Sequence, residues 1–136
     1  MTVTAFDTKK LFEPHGFHQW VSATGTRTVY TSGVVGIHAD GVLAGEGLDY
    51  RAHGHQAIVN LHAALQAARA GQADVSKLTM YVVDPTEEGL NELYRGIGRA
   101  ANEIGAVAKA TTLIGVTALS IAGAVYEVDA VAIVAD

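Results

Sequence analysis

The sequence predicts an α+β domain, a single sheet with two helices packed on one of its faces. Two segments repeat apolar residues at helical spacing, and short β-branched segments stand before, between and after them. Two helices of that length cover only one face of a sheet. The first strand segment is 18–24, which alternates weakly; Thr24-Gly25-Thr26 turns the chain into 27–32, the β-branched run RTVYTS. Extended chain continues over 34–38, turns at Ala39-Asp40-Gly41 with Asp-Gly at its tip, and returns over 42–44. Between 49 and 70, Ile58, Leu61, Leu65 and Ala68 share a helical face, with Asp49 as N-cap and Gly71 as the glycine beyond the C-terminus. Residues 78–83 (LTMYVV) form a strand closed by Asp84-Pro85. Thr86 caps a second helix with Leu90, Leu93, Ile97 and Ile104 on its inner face. The segments 110–117 and 124–134 are the last two strands, joined by a turn around 120–123, and the order is β-β-(β)-α-β-α-β-β.

With 136 residues and 14.2 kDa, the chain is read as one domain, 1–136, with no linker, repeat or low-complexity tract. The net charge of −5 lacks the basic footprint of a nucleic-acid binder. The absence of cysteine excludes disulfides, thiolate metal sites and a cysteine nucleophile. No apolar run reaches the roughly 18 residues that span a bilayer, and the polar segment 1–14 does not read as a signal peptide, so a cytoplasmic protein is expected. Charged residues are only 17%, against about 25% in an average domain. One way for a small protein so short of charge to cover its surface is to bury it against copies of itself, the alternative being a compact, alanine-rich monomer. The sheet face opposite the helices is wet, closed on itself or, as favoured here, covered by partner subunits.

Most chemical motifs are weak. His53 and His55 stand two apart on a helix and point about 200° apart, the wrong geometry for chelation, and read as solvated helix histidines. Gly96-Ile97-Gly98 imitates a dinucleotide fingerprint but lies inside a helix, where the glycines serve packing. The last strand is more informative. Glu127 and Asp129 are two apart and share a face with Val125, Val131 and Ile133. Carboxylates in an apolar face are costly unless paired, hydrogen-bonded or wet. A site between subunits and an inter-subunit salt bridge both account for them.

Taken in order, several runs resemble the Rid/YjgF superfamily, also labelled endoribonuclease L-PSP-like. They are Tyr30-Thr31-Ser32-Gly33, the helix with Gln56, Asn60 and Leu61, the run from Ala73 through Leu78 and Met80 to Asp84, Asn91-Glu92-Leu93-Tyr94, and the run from Tyr126 to Ala132. The resemblance covers Gly16 to the C-terminus and implies a chorismate-mutase-like fold assembled as a homotrimer with three clefts between subunits. It implies hydrolysis of enamines and imines, such as 2-aminoacrylate, to keto acids and ammonia, with no metal or organic cofactor. Ser32 and Glu127 match the residues around the reacting carbon and its water. Gly33 and Val34 match backbone contacts, and Asn91 and Tyr94 match positions on the second helix. The family tyrosine corresponds to Phe17, and the family arginine that holds the substrate carboxylate falls at Thr111, followed by Thr112.

Losing a guanidinium removes a charge-assisted pair to a carboxylate. Lys109, two residues earlier, is either its point-charge replacement or a solvated lysine beside a cleft for something less acidic. The expectation is therefore a Rid-type trimer with Glu127 and Ser32 as catalytic residues. Its substrate contacts are Phe17, Gly33, Val34, Asn91, Lys109, Thr111 and Thr112, and its ligand is a small metabolite, a carboxylate among the options. Activity on 2-aminoacrylate is expected to be weak or absent. The alternative is a non-catalytic metabolite-binding trimer of the same fold. Direct nucleic-acid or membrane partners are not expected.

Overall fold

The computed structural model describes residues 2–136; Met1, the first residue of the polar segment read above, lies outside them. The strands are β1 (Val3–Phe6), β2 (Trp20–Ala23), β3 (Arg27–Tyr30), β4 (Val34–Val35), β5 (Val75–Val83), β6 (Ala110–Val116) and β7 (Tyr126–Val134). The helices are α1 (Tyr50–Ala67) and α2 (Glu87–Ile104), with a short 3-10 turn at Gln72–Asp74. β1 and β2 form a separate antiparallel ribbon, in which Phe6 stacks on Trp20 with ring centroids 4.3 Å apart. The main sheet runs β3-β7-β5-β6, and β4 also pairs with β7. β5 and β6 are parallel and are joined through α2, which is the crossover that parallel neighbours require.

β7 sets the two faces. Its even residues, Tyr126 to Val134, are buried, and its odd residues are half-buried. The buried set packs beneath the helices with Ile58, Leu61 and Leu65 of α1 and Leu93 of α2. The α+β architecture with helices on one face is therefore as expected, and the opposite face is left without a layer of its own. Asp49 caps α1 by accepting from the Ala52 amide, and Thr86 caps α2 by accepting from the Gly89 amide. The helices approach closely at Gly96, where a Cβ would stand 2.0 Å from the Arg51 carbonyl oxygen.

Four local expectations are corrected. β1 arises inside the polar N-terminal segment because its backbone pairs with β2. α1 ends at Ala67 with Ala68 as its C-cap, and Arg69, with φ 57°, takes the left-handed position expected of Gly71. Arg27 makes that tolerable by donating to the Ala68 and Arg69 carbonyls, which the ending helix leaves free, while pairing with Asp136. His53 is fully buried rather than solvated. Its Nδ1 accepts from the Val125 amide at 3.2 Å, and burial lowers its pKa against the smaller opposing pull of Asp49 and the Ala44 carbonyl. Lys109, the fourth, belongs to the site.

Candidate functional site

The site residues divide into two corners of the sheet. At the first, Thr31 is fastened to β7 by a reciprocal pair. Its amide donates to the Ala130 carbonyl, and its hydroxyl accepts from the Ala130 amide, each at 3.0 Å. Two residues on, Gly33 lies against Glu127. A Cβ on Gly33 would lie 2.5 Å from Glu127 Oε2 and 2.7 Å from its Cδ, so only glycine lets the carboxylate lie against the backbone. Val34 follows opposite Val128. The exit of β4 is clamped from α1, where Asn60 Nδ2 donates to the Val35 and Ile37 carbonyls at 2.9 and 2.7 Å. Gln56 steadies Asn60 by donating to its Oδ1 at 2.9 Å.

Glu127 and Asp129 share the face opposite the helices with Tyr81 and Thr79, their register partners on β5. The Tyr81 hydroxyl donates to Asp129 Oδ2 at 3.3 Å. The Asp129 charge, then burial, that hydrogen bond and the Glu127 charge raise the phenol pKa, which keeps it a neutral donor. Lys77 lies on the same face and donates to Thr112 Oγ1 at 2.7 Å. Among the described residues, neither Glu127 nor Asp129 forms an ion pair. Tyr81, Lys77 and the Asn60 clamp went unassigned in the sequence reading. The strand read as 78–83 left Lys77 outside; the observed β5 starts at Val75, and its register shows that Lys77, Thr79 and Tyr81 face the side of the two acids.

The second corner holds Phe17, Lys109 and Thr111. The His18 amide donates to the Lys109 carbonyl at 2.8 Å, which sets exposed Phe17 beside the start of β6. Ala110 is level with Lys77, four positions along β5 from Tyr81 and Glu127. That is about 13 Å along the strands at about 3.3 Å per residue. Both readings of Lys109 are corrected here. Its side chain is 4% exposed, and its Nζ donates to the Gln72 carbonyl of the 3-10 turn. Burial, only partly opposed by Asp74, lowers its pKa. It is neither solvated nor free to hold a carboxylate. Thr111 turns its hydroxyl to the Lys109 carbonyl at 3.2 Å. Asn91 and Tyr94 are exposed on α2, on the other side of the sheet from Glu127, and one chain does not bring them to it. Asn91 instead borders an open acidic depression with Glu87, Glu88 and Glu92.

Among the described residues, no three His, Asp or Glu side chains converge as a metal site, and no helix is long and apolar enough to cross a membrane. The family pattern described as Endoribonuclease L-PSP matches residues 11–134. No curated protein matches the chain. Among solved structures, the chain is similar to YyfB of Yersinia pestis, a protein of unknown function of the conserved Rid family. The two are 32% identical over 98% of this chain and 100% of that one, with a TM-score of 0.86. It shares its fold with YjgF of E. coli at 21% identity, covering 96% and 98% of the two chains with a TM-score of 0.68. It does so equally with E. coli TdcF with bound serine, at 19% identity, 96% and 98% coverage and a TM-score of 0.68. With the pattern spanning nearly the whole sequence and the fold agreeing end to end, the chain belongs to the endoribonuclease L-PSP family of the Rid/YjgF superfamily.

Proposed function

We propose that the chain acts as a homotrimer whose clefts between subunits hydrolyse a small imine or enamine to a carbonyl compound and ammonia. The observation that carries this reading is the Glu127 carboxylate laid on the Gly33 backbone, with no ion-pair partner among the described residues. A carboxylate so held is a ready general base. Glu127 takes a proton from water as the oxygen adds to the imine carbon, and the proton passes to nitrogen. The carbon–nitrogen bond then breaks as the new hydroxyl gives its proton, through Glu127, to nitrogen, and the carbonyl compound and ammonia leave. Ser32 supplies a hydroxyl at the same wall.

Assembly is supported by the sheet face without a helical layer and by the low charge content. In this reading the Phe17–Thr111 corner of one subunit closes the Glu127 corner of another. The serine held by E. coli TdcF supports a small metabolite as ligand. RNA cleavage, which the family's label names, is disfavoured by a face that sets Glu127 and Asp129 against Lys77 alone. For carboxylate-bearing ligands, Thr111 and Phe17 favour the second reading, a metabolite-binding trimer without turnover.

Glu127→Gln keeps the volume and removes the base. Turnover of an imine generated in situ should fall by about 10²–10⁴-fold. Light scattering should still return three times the 14.2 kDa chain mass. Dissociation of the variant with turnover intact would make Glu127 an interface residue instead.

A further inference from the structure

We infer that the Glu127 cleft is built for an imine that carries no carboxylate, one whose only charge is the proton on its nitrogen. This rests on the hydrolytic reading and names its substrate class. The chain has nine Lys and Arg side chains, and most are committed. Arg27 is held by Asp136 and two helix-end carbonyls, Arg51 and Arg95 by Glu92, and Arg99 by Glu103. Lys109 is buried on the Gln72 carbonyl. Arg69 stands at the far end of α1, and Lys9 and Lys10 lie on the exposed loop after β1. Lys77 shares the Glu127 face, but its ammonium is held by Thr112 Oγ1, level with Thr79 and Asp129 and two positions along β5 from Tyr81 and Glu127. A ligand resting on Gly33 meets Glu127 first and Asp129 two positions on.

A carboxylate there faces like charge with no fork of donors to hold it, whereas a protonated imine finds its counter-ion. The step balances without a co-reactant other than water. Water oxygen bonds to the iminium carbon as Glu127 takes one water proton and passes it to nitrogen. The carbon–nitrogen bond then breaks as Glu127 takes the remaining hydroxyl proton and hands it to the departing ammonia, so an aldehyde or ketone leaves with ammonium. At the Phe17–Thr111 corner that the hydrolytic reading brings from a second subunit, Thr111 is uncharged and Lys109 is buried on the Gln72 carbonyl.

The test uses two imines that differ by the carboxylate alone. One is formed from benzylamine by a flavin amine oxidase, the other from phenylglycine by an amino-acid oxidase. The protein should accelerate decay of the carboxylate-free imine with a kcat/KM at least tenfold higher, and Glu127→Gln should lose it. A binding arm separates the two readings. Benzylammonium should bind at least tenfold more tightly than benzoate in calorimetric titration, and Glu127→Gln should erase the difference. Equal or faster turnover of the imino acid, or equal binding of benzoate, overturns the substrate class. Preferential benzylammonium binding with neither imine accelerated overturns the hydrolytic reading but upholds the charge preference.

Discussion

The two corners of the sheet each hold one unusual charged side chain, Glu127 and Lys109, and the fold treats them oppositely. Glu127 is half-buried on a face without helices, against a glycine that makes room for it, with no ion-pair partner. Lys109 is buried, and its ammonium is turned to a carbonyl of its own chain. A desolvated cation with a backbone partner is a fastening, because its hydrogen bond ties β6 to the 3-10 turn before β5. A carboxylate left open on a prepared surface is a group kept for something else. Residue type alone does not tell a ligand contact from a tie; the partner of the charged atom does.

The strongest way to break this contrast is Gly33→Ala. The added methyl occupies the space of Glu127 Oε2 and must displace the carboxylate. Imine turnover should fall at least tenfold, about 1.4 kcal/mol of barrier, while the melting temperature moves little, because Gly33 is exposed. A full rate in this variant would separate Glu127 from the chemistry. Lys109→Ala should behave in the opposite way. It removes a buried stem and orphans the Gln72 carbonyl, so chemical denaturation should show a loss of about 2–3 kcal/mol. The surviving folded protein should keep its ligand preference, and a changed preference would return Lys109 to the cleft.

The smallest effect is one of pH. The folded-state pKa of Lys109 lies below its ordinary 10.5, so the unfolded chain binds the extra proton between the two values. The burial penalty is present in full below the folded value and is relieved as pH rises toward 10.5. Denaturation midpoints of the wild type relative to Lys109→Ala should therefore improve across that alkaline window. A flat difference would mean that the ammonium is not desolvated.

Much of this was legible from residues that act locally. Asp49 and Thr86 cap the helices they precede, and the period of two along 124–134 correctly put Glu127 and Asp129 on one face. The family pattern grouped Ser32, Gly33 and Glu127, and of these the structure lays Gly33 against Glu127. What was not legible depends on distant partners. The direction of Lys109 is set by a carbonyl 37 residues away. The burial of His53 follows from the close passage of Gly36, where a Cβ would lie 2.6 Å from the His53 Cα. Arg69 adopts its left-handed backbone under carbonyls that Arg27 gathers from 42 residues away. Spacing rules see neighbours within a turn or a strand, and none of these partners is one.

β7 also governs the order of events during synthesis. β3, β4 and β5 all pair with it, and Arg27 finds Val134 across the ladder. A chain growing from its N-terminus can wind α1 and α2 early, but β3 and β4 remain without β7, and β5 with β6 alone, until residues 126–134 are made. Because the sheet closes around a late arrival, its assembly depends on long-range pairing and is slow compared with helix formation. During that interval the apolar faces of β3 and β5 are exposed to other chains, which makes the stage before β7 docks the one most open to aggregation.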